Sequence, residues 1–146
     1  MTPEEFIAWL MPVAAEVCAE YDLPPSVCVA QAAIESGWGR YTSGAYNFFG
    51  RKYGGSGSWV EMVTEEFLDD QWVEVMARFQ SYESLEEAVR DWCVLMTEEP
   101  VYGRCLYWRR NPAAFVASMA PIYATDPDYQ SKVWSTIVAN GMVNIE

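Results

Sequence analysis

Glu35 is the residue around which this sequence can most readily build chemistry. It closes the run Ala32-Ala33-Ile34-Glu35-Ser36-Gly37-Trp38-Gly39, after a stretch from Pro25 to Ile34 with no ionisable carboxylate or base. The pattern places a carboxyl at the end of a largely buried helix. Burial disfavours the charged form of a carboxyl, and the negative C-terminal end of a helix dipole acts in the same direction, so its pKa is expected to rise. A carboxylic acid still protonated near neutral pH is what a glycosidic bond needs to have its leaving oxygen protonated.

Composition closes off other chemistries. The 146 residues contain no histidine, and the four cysteines form no CxxC pair. Histidine-dependent nucleophiles and histidine-ligated zinc are thereby excluded, which leaves acid/base work to carboxylates, tyrosine, lysine or cysteine. No cofactor and no metal are expected. Cys18, Cys28, Cys93 and Cys105 allow three fully paired connectivities; their placement on helical faces makes buried free thiols the expectation. The net charge of −12 argues against a nucleic-acid or anionic-membrane partner. That charge is uneven: residues 60–100 hold twelve acids against Arg78 and Arg90, whereas Arg40, Arg51 and Lys52 follow Glu35 in a stretch without acids.

The elements that must position Glu35 can be read from local signals. Thr2-Pro3-Glu4-Glu5 is a capping box with proline at the first helical position, and Phe6, Leu10, Val13, Ala14, Val17, Cys18 and Tyr21 then share one face. Pro12 is expected to kink that helix. Asp22-Leu23-Pro24-Pro25 ends it, and a second helix runs from about Pro25 to Ser36. From Gly37 to Ser58 the glycines exclude a long regular element. Two β-rich runs, Trp59–Thr64 and Trp72–Phe79, read as an antiparallel hairpin joined through Glu65–Gln71. Ser84-Leu85-Glu86-Glu87 is a second capping box. Asn111-Pro112 and Asp126-Pro127 open helices of about 112–119 and 127–139, the last closed by Asn140-Gly141. The fold class is therefore α+β, mainly helical, in a single domain spanning 1–146 with a hairpin lobe at about 59–79.

Aromatic residues crowd the glycine-rich stretch: Trp38, Tyr41, Tyr46, Phe48, Phe49 and Tyr53. Sugar rings present C–H faces that pack on aromatic rings, so Trp38 and one of Tyr46 or Tyr53 are assigned to substrate.

Four segments taken together, Ala30–Gly39, Asn47-Phe48-Phe49-Gly50, Thr64-Glu65-Glu66-Phe67 and Tyr123-Ala124-Thr125-Asp126-Pro127, resemble glycoside hydrolase family 73, the peptidoglycan glucosaminidases. The resemblance runs from about Phe6 to Ile137. It implies a lysozyme-like helical domain with a small β-hairpin lobe flanking a cleft, acting on peptidoglycan glycan strands between N-acetylglucosamine and N-acetylmuramic acid. Glu35 matches the general acid, Glu66 the second carboxylate in the hairpin lobe, and Tyr123 the tyrosine of the site. Asn47 and the Phe48-Phe49-Gly50 turn match the motif on the cleft floor. Where the family often has a glycine or asparagine turn after the hairpin carboxylate, this chain has Phe67-Leu68-Asp69-Asp70, and Glu65 is a neighbouring alternative to Glu66.

The implied reaction has Glu35 protonating the leaving oxygen while Glu66 activates water or steadies an oxocarbenium ion. A carboxyl separation of about 5 Å would favour retention and about 6.5–9.5 Å inversion; in a third path the substrate's acetamido oxygen attacks with Tyr123 orienting it. Lytic transglycosylation, which needs one carboxylate and leaves 1,6-anhydro ends, is the alternative among enzymes. A non-catalytic wall-binding module is the alternative outside them. The expected setting is the bacterial wall. A monomer without a visible signal peptide fits either a phage endolysin released from the cytoplasm or a domain cut from a longer secreted protein.

Overall fold

The structure, a computed structural model, describes residues 1–144. Its five α-helices are α1 (Pro3–Tyr21), α2 (Pro25–Ser36), α3 (Leu85–Glu98), α4 (Pro112–Tyr123) and α5 (Tyr129–Ala139). Strands β1 (Ser58–Leu68) and β2 (Gln71–Ser81) lie between α2 and α3, and a 3₁₀ segment, Pro100–Trp108, joins α3 to α4.

Helix α2 is the axis of the helical body. α1, α4 and α5 all pack against it, and Pro25 to Ala33 is buried throughout. A helix enclosed on that many sides has no exposed face for a charge, which is why Glu35 can stand only at its end. Around it the core is built from Phe6 and Leu10 of α1, Trp92 and Met96 of α3, Phe115 of α4 and Ile137 of α5. The four cysteines are free and buried, with Cys18 Sγ and Cys93 Sγ 3.7 Å apart.

The local signals act largely as expected. Thr2 Oγ1 accepts the Glu5 N–H at 3.1 Å and Glu5 accepts the Thr2 N–H at 3.2 Å. Asn111 caps α4 by accepting the Ala114 N–H at 3.2 Å. Ser84 accepts the Glu87 N–H at 3.1 Å, but the Glu87 carboxylate reaches the Glu83 N–H at 2.9 Å rather than that of Ser84. Pro12 lies inside the single helix α1. Helix α4 runs beyond the expected 119, carrying Pro121 in its last turn and ending on Tyr123.

The hairpin differs in a way that matters for the site. Its strands continue through Glu65–Leu68 and reverse over Asp69-Asp70 alone, with Leu68 paired to Gln71. Both aspartates adopt left-handed φ, 49° and 63°, the conformation a two-residue hairpin turn of the mirror-image type requires and one that aspartate tolerates. Glu65 and Glu66 are thus strand residues on opposite faces, not members of an acidic loop. One face of the hairpin, with Val60, Thr64, Glu66, Val73, Val75 and Phe79, is half-buried or buried; the other, with Trp59, Glu61, Val63, Glu65 and Phe67, is exposed.

At its base the hairpin is tied to the loop that follows α2. Gln80 is the fastening point. Its backbone N–H donates to the Arg51 carbonyl at 3.0 Å. Its side chain accepts the Gly54 N–H at 3.0 Å and donates to the Ser56 carbonyl at 2.9 Å.

Candidate active site

The end of α2 is shaped by its own sequence. Gly37 takes the left-handed C-cap conformation, φ 55°, which suits a residue without a Cβ. Ser36 Oγ donates to the Ala32 carbonyl at 2.6 Å and accepts the Gly39 N–H at 2.8 Å, folding the exit back on the helix. Gly39 has φ 82°, and a Cβ there would stand 3.3 Å from the Phe6 ring. The motif Glu35-Ser36-Gly37-Trp38-Gly39 therefore builds a tight stop directly after the carboxyl.

Glu35 sits where two depressions meet. One is lined by Phe49, Gly50, Arg51, Lys52, Leu95 and Tyr102, the other by Thr125, Asp126, Tyr129 and Lys132, and Glu35 and Tyr123 belong to both. Glu35 is an exposed residue, its side chain open to the cleft. The protein packed around its carboxyl nevertheless removes enough water to raise its pKa above the usual carboxylate range, against a smaller lowering from the Tyr129 hydroxyl. The result is a carboxyl that holds its proton more tightly than an ordinary carboxylate, in a polar, aromatic cleft.

Tyr123, the last residue of α4, donates its hydroxyl to the Phe49 carbonyl at 2.9 Å. Burial raises its pKa well above that of an ordinary phenol, so it acts as a neutral group. Its ring stacks on Tyr129 with centroids 5.8 Å apart and planes 7° from parallel. Phe49 is 3% exposed and stacks on Trp92, centroids 6.4 Å apart.

Glu66 reaches this cleft indirectly, through an ion pair with Lys52, which lines it. Glu65 is on the other face of the strand, directly opposite Glu74. The next cation, Arg51, donates from Nε to Asp91 at 3.2 Å. Burial works against the Arg51 charge, but Asp91 outweighs it and keeps the guanidinium charged.

The remaining candidates occupy other places. Asn47 is 1% exposed; its Nδ2 donates to the Arg51 and Gln80 carbonyls at 2.8 and 2.9 Å, and its Oδ1 accepts the Arg51 N–H at 2.9 Å. It lies beneath the loop and pins it to the hairpin. Trp38 stands edge-on to Phe6 at 5.8 Å. Tyr46 is an exposed turn residue with φ 57°, and Tyr53 tilts against Trp59 at 6.0 Å. None of the last three lines the depressions around Glu35.

Tyr129, Gln31 and Trp92, to which the sequence assigns no site role, are linked to one another behind Glu35. Spacing alone marks one of them: Gln31 is four residues before Glu35 and so lies on the same helical face. Among the described residues, no group of acids and cysteines is placed to hold a metal ion. A separate, more enclosed hollow between α1 and Arg109 contains a single carboxylate, Asp22, already paired with Arg110.

Comparison with known proteins places this geometry in context. Residues 11–141 match the sequence pattern of a glucosaminidase family, described as mannosyl-glycoprotein endo-beta-N-acetylglucosaminidase. The chain is similar to an autolysin of Enterococcus faecalis, with 35% identity over 99% of this chain and 21% of that one. It is also similar to the peptidoglycan hydrolase FlgJ of Pseudomonas aeruginosa, with 32% identity over 89% and 35%. The chain thus spans less than half the length of these curated relatives. Among solved structures, the catalytic domain of the autolysin Auto from Listeria monocytogenes superposes with a TM-score of 0.86 at 33% identity, covering 99% of this chain and 87% of that one. The glycoside hydrolase domain of Salmonella typhimurium FlgJ, truncated at its C-terminus, gives a TM-score of 0.78 at 30% identity over 95% and 97%.

Proposed function

The chain belongs to the glucosaminidase family, glycoside hydrolase family 73, and we propose that it hydrolyses the β-1,4 bond between N-acetylglucosamine and N-acetylmuramic acid in peptidoglycan. The observation that carries this reading is Glu35, a carboxyl with a raised pKa at the junction of two cleft depressions. Several relatives of similar fold are named as autolysins or peptidoglycan hydrolases, which supports a wall glycan as substrate.

In the proposed reaction Glu35 protonates the glycosidic oxygen as the bond to the sugar breaks, and Glu66 supplies the second carboxylate, activating water or steadying the positive ring. Glu66 is preferred to Glu65 because its strand face is the half-buried one and its partner Lys52 borders the cleft. Tyr123 closes one wall through its bond to the Phe49 carbonyl. Phe49 itself is a supporting layer. Arg51, fixed by Asp91, is placed to meet carbonyl or carboxylate groups carried by muramic acid. Trp38, Tyr46 and Tyr53 would contact sugars only in rings beyond the central depressions.

The same domain, acting on the wall, is the extent 1–146 proposed for this activity. The test is lysis of purified sacculi by the wild type, Glu35→Gln and Glu66→Gln. Loss of lysis in both variants with their folds intact supports the reading; undiminished lysis by Glu35→Gln would contradict it.

A further inference from the structure

Behind Glu35 a chain of hydrogen bonds has only one possible direction. The indole of Trp92 is a donor only, and its Nε1 lies 2.7 Å from Gln31 Oε1. That bond settles the orientation of the Gln31 amide and leaves Nε2 as the group facing Tyr129, 3.1 Å from its hydroxyl oxygen. Tyr129 therefore accepts from Gln31, and its own proton must go elsewhere. The acceptor on that side is the Glu35 carboxyl, which lines the same depression as Tyr129. Gln31 and Glu35 are one helical turn apart on α2, so one hydroxyl from α5 can touch both. Gln31 and Trp92 are fully buried and Tyr129 is 4% exposed, so water does not compete for the bonds among these three.

We infer that Tyr129 is the positioning residue for the catalytic acid, its hydroxyl proton aimed at Glu35 by the Trp92–Gln31 pair. This rests on Glu35 being the acid. The oxygen that accepts from Tyr129 is the unprotonated one, so the acid proton is confined to the other oxygen, on the open side of the cleft. Once that proton has moved to the leaving oxygen, the Tyr129 bond stabilises the carboxylate that remains. Tyr123 cannot take this part, because its hydroxyl proton is directed to the Phe49 carbonyl.

Other charges near Glu35 are already matched. Lys132 pairs with Asp126, Lys52 with Glu66 and Arg51 with Asp91. Tyr102 and Tyr123 are held neutral by burial. The Tyr129 hydroxyl shares the depression with the carboxyl and favours its charged form, so its removal has a predictable sign: Glu35 should hold its proton to higher pH.

The experiment compares pH–rate profiles of wild type, Tyr129→Phe and Gln31→Glu on soluble, un-cross-linked glycan strands, with thermal unfolding to verify each fold. In Tyr129→Phe the alkaline limb moves up by roughly half to one pH unit, about threefold to tenfold in acid constant. The maximal rate falls by about tenfold while KM stays within about twofold. Gln31→Glu shifts the limb the same way, since a carboxylate at 31 accepts from both Trp92 and Tyr129 and turns the hydroxyl away from Glu35. Titration of the Glu35 carboxyl by ¹³C NMR reports the same shift independently of turnover. An unmoved limb and an unmoved carboxyl titration in folded Tyr129→Phe would overturn the inference. If Glu35→Gln remains active, the assignment of the acid itself fails; if it is inactive and the limb is unmoved, only the role of Tyr129 fails.

Discussion

Replacing Asn47 by alanine separates two roles this residue can have, lining the cleft or holding the loop beneath it. Its three side-chain hydrogen bonds, at 2.8, 2.9 and 2.9 Å, tie Arg51 and Gln80 together. After truncation the Arg51 carbonyl keeps the Gln80 N–H at 3.0 Å, but the Arg51 N–H and the Gln80 carbonyl lose their partners. Each buried orphan costs about 1–3 kcal/mol, and because these bonds are only partly buried the low end, about 1–1.5 kcal/mol each, applies to the two, about 2–3 kcal/mol in all. For a chain of this size that is a fall in Tm of roughly 6–10 °C. Arg51 and Lys52 are then less firmly placed beside Glu35, and a misplacement of that kind lowers kcat by about tenfold or more. Urea unfolding followed by tryptophan fluorescence gives the stability, and initial rates well below Tm give kcat and KM separately. A variant within about 0.5 kcal/mol of wild type whose only defect is a raised KM would refute this reasoning and return Asn47 to the cleft surface.

Further outcomes follow from the same site. Glu35→Gln should lower lysis by about a thousandfold while slightly stabilising the fold. The folded pKa of Glu35 is raised, so the native state holds the proton more tightly than the unfolded chain, and wild-type stability declines as pH climbs from the ordinary value of 4.5 through the raised one. The variant should therefore gain about 0.5 kcal/mol at pH 7, discounted for the partial exposure of the group, with no gain near pH 4 in matched thermal melts. Wild-type activity should fall on the alkaline side as pH passes the raised Glu35 pKa. Glu66→Gln should lose about a hundredfold in rate and Glu65→Gln less than about twofold in the same assay; equal losses would reject the distinction between the two strand faces.

What could be read before the structure was local. Thr2 with Glu5 and Asn111 with Pro112 mark helix starts because cap and partner lie within three residues. Glu35 stood out because α2 offers no other place for a charge. Composition makes Glu65–Gln71 read as a long connection, whereas two aspartates in left-handed conformation suffice to reverse the chain. Asn47 carries a motif match, yet its side chain faces the loop backbone. The chain behind Glu35 joins residues 98 and 61 positions apart; no period or cap encodes such contacts, which arise only when α2, α3 and α5 pack.

The most direct test of the central claim is the chemistry of the ends the protein leaves. Purified peptidoglycan is digested, reduced with borohydride and analysed by mass spectrometry. N-acetylglucosamine at the new reducing ends is the expected result. Reduced muramic acid would assign the cut to the other glycosidic bond, and 1,6-anhydromuramic ends would replace hydrolysis by transglycosylation; either would contradict the account.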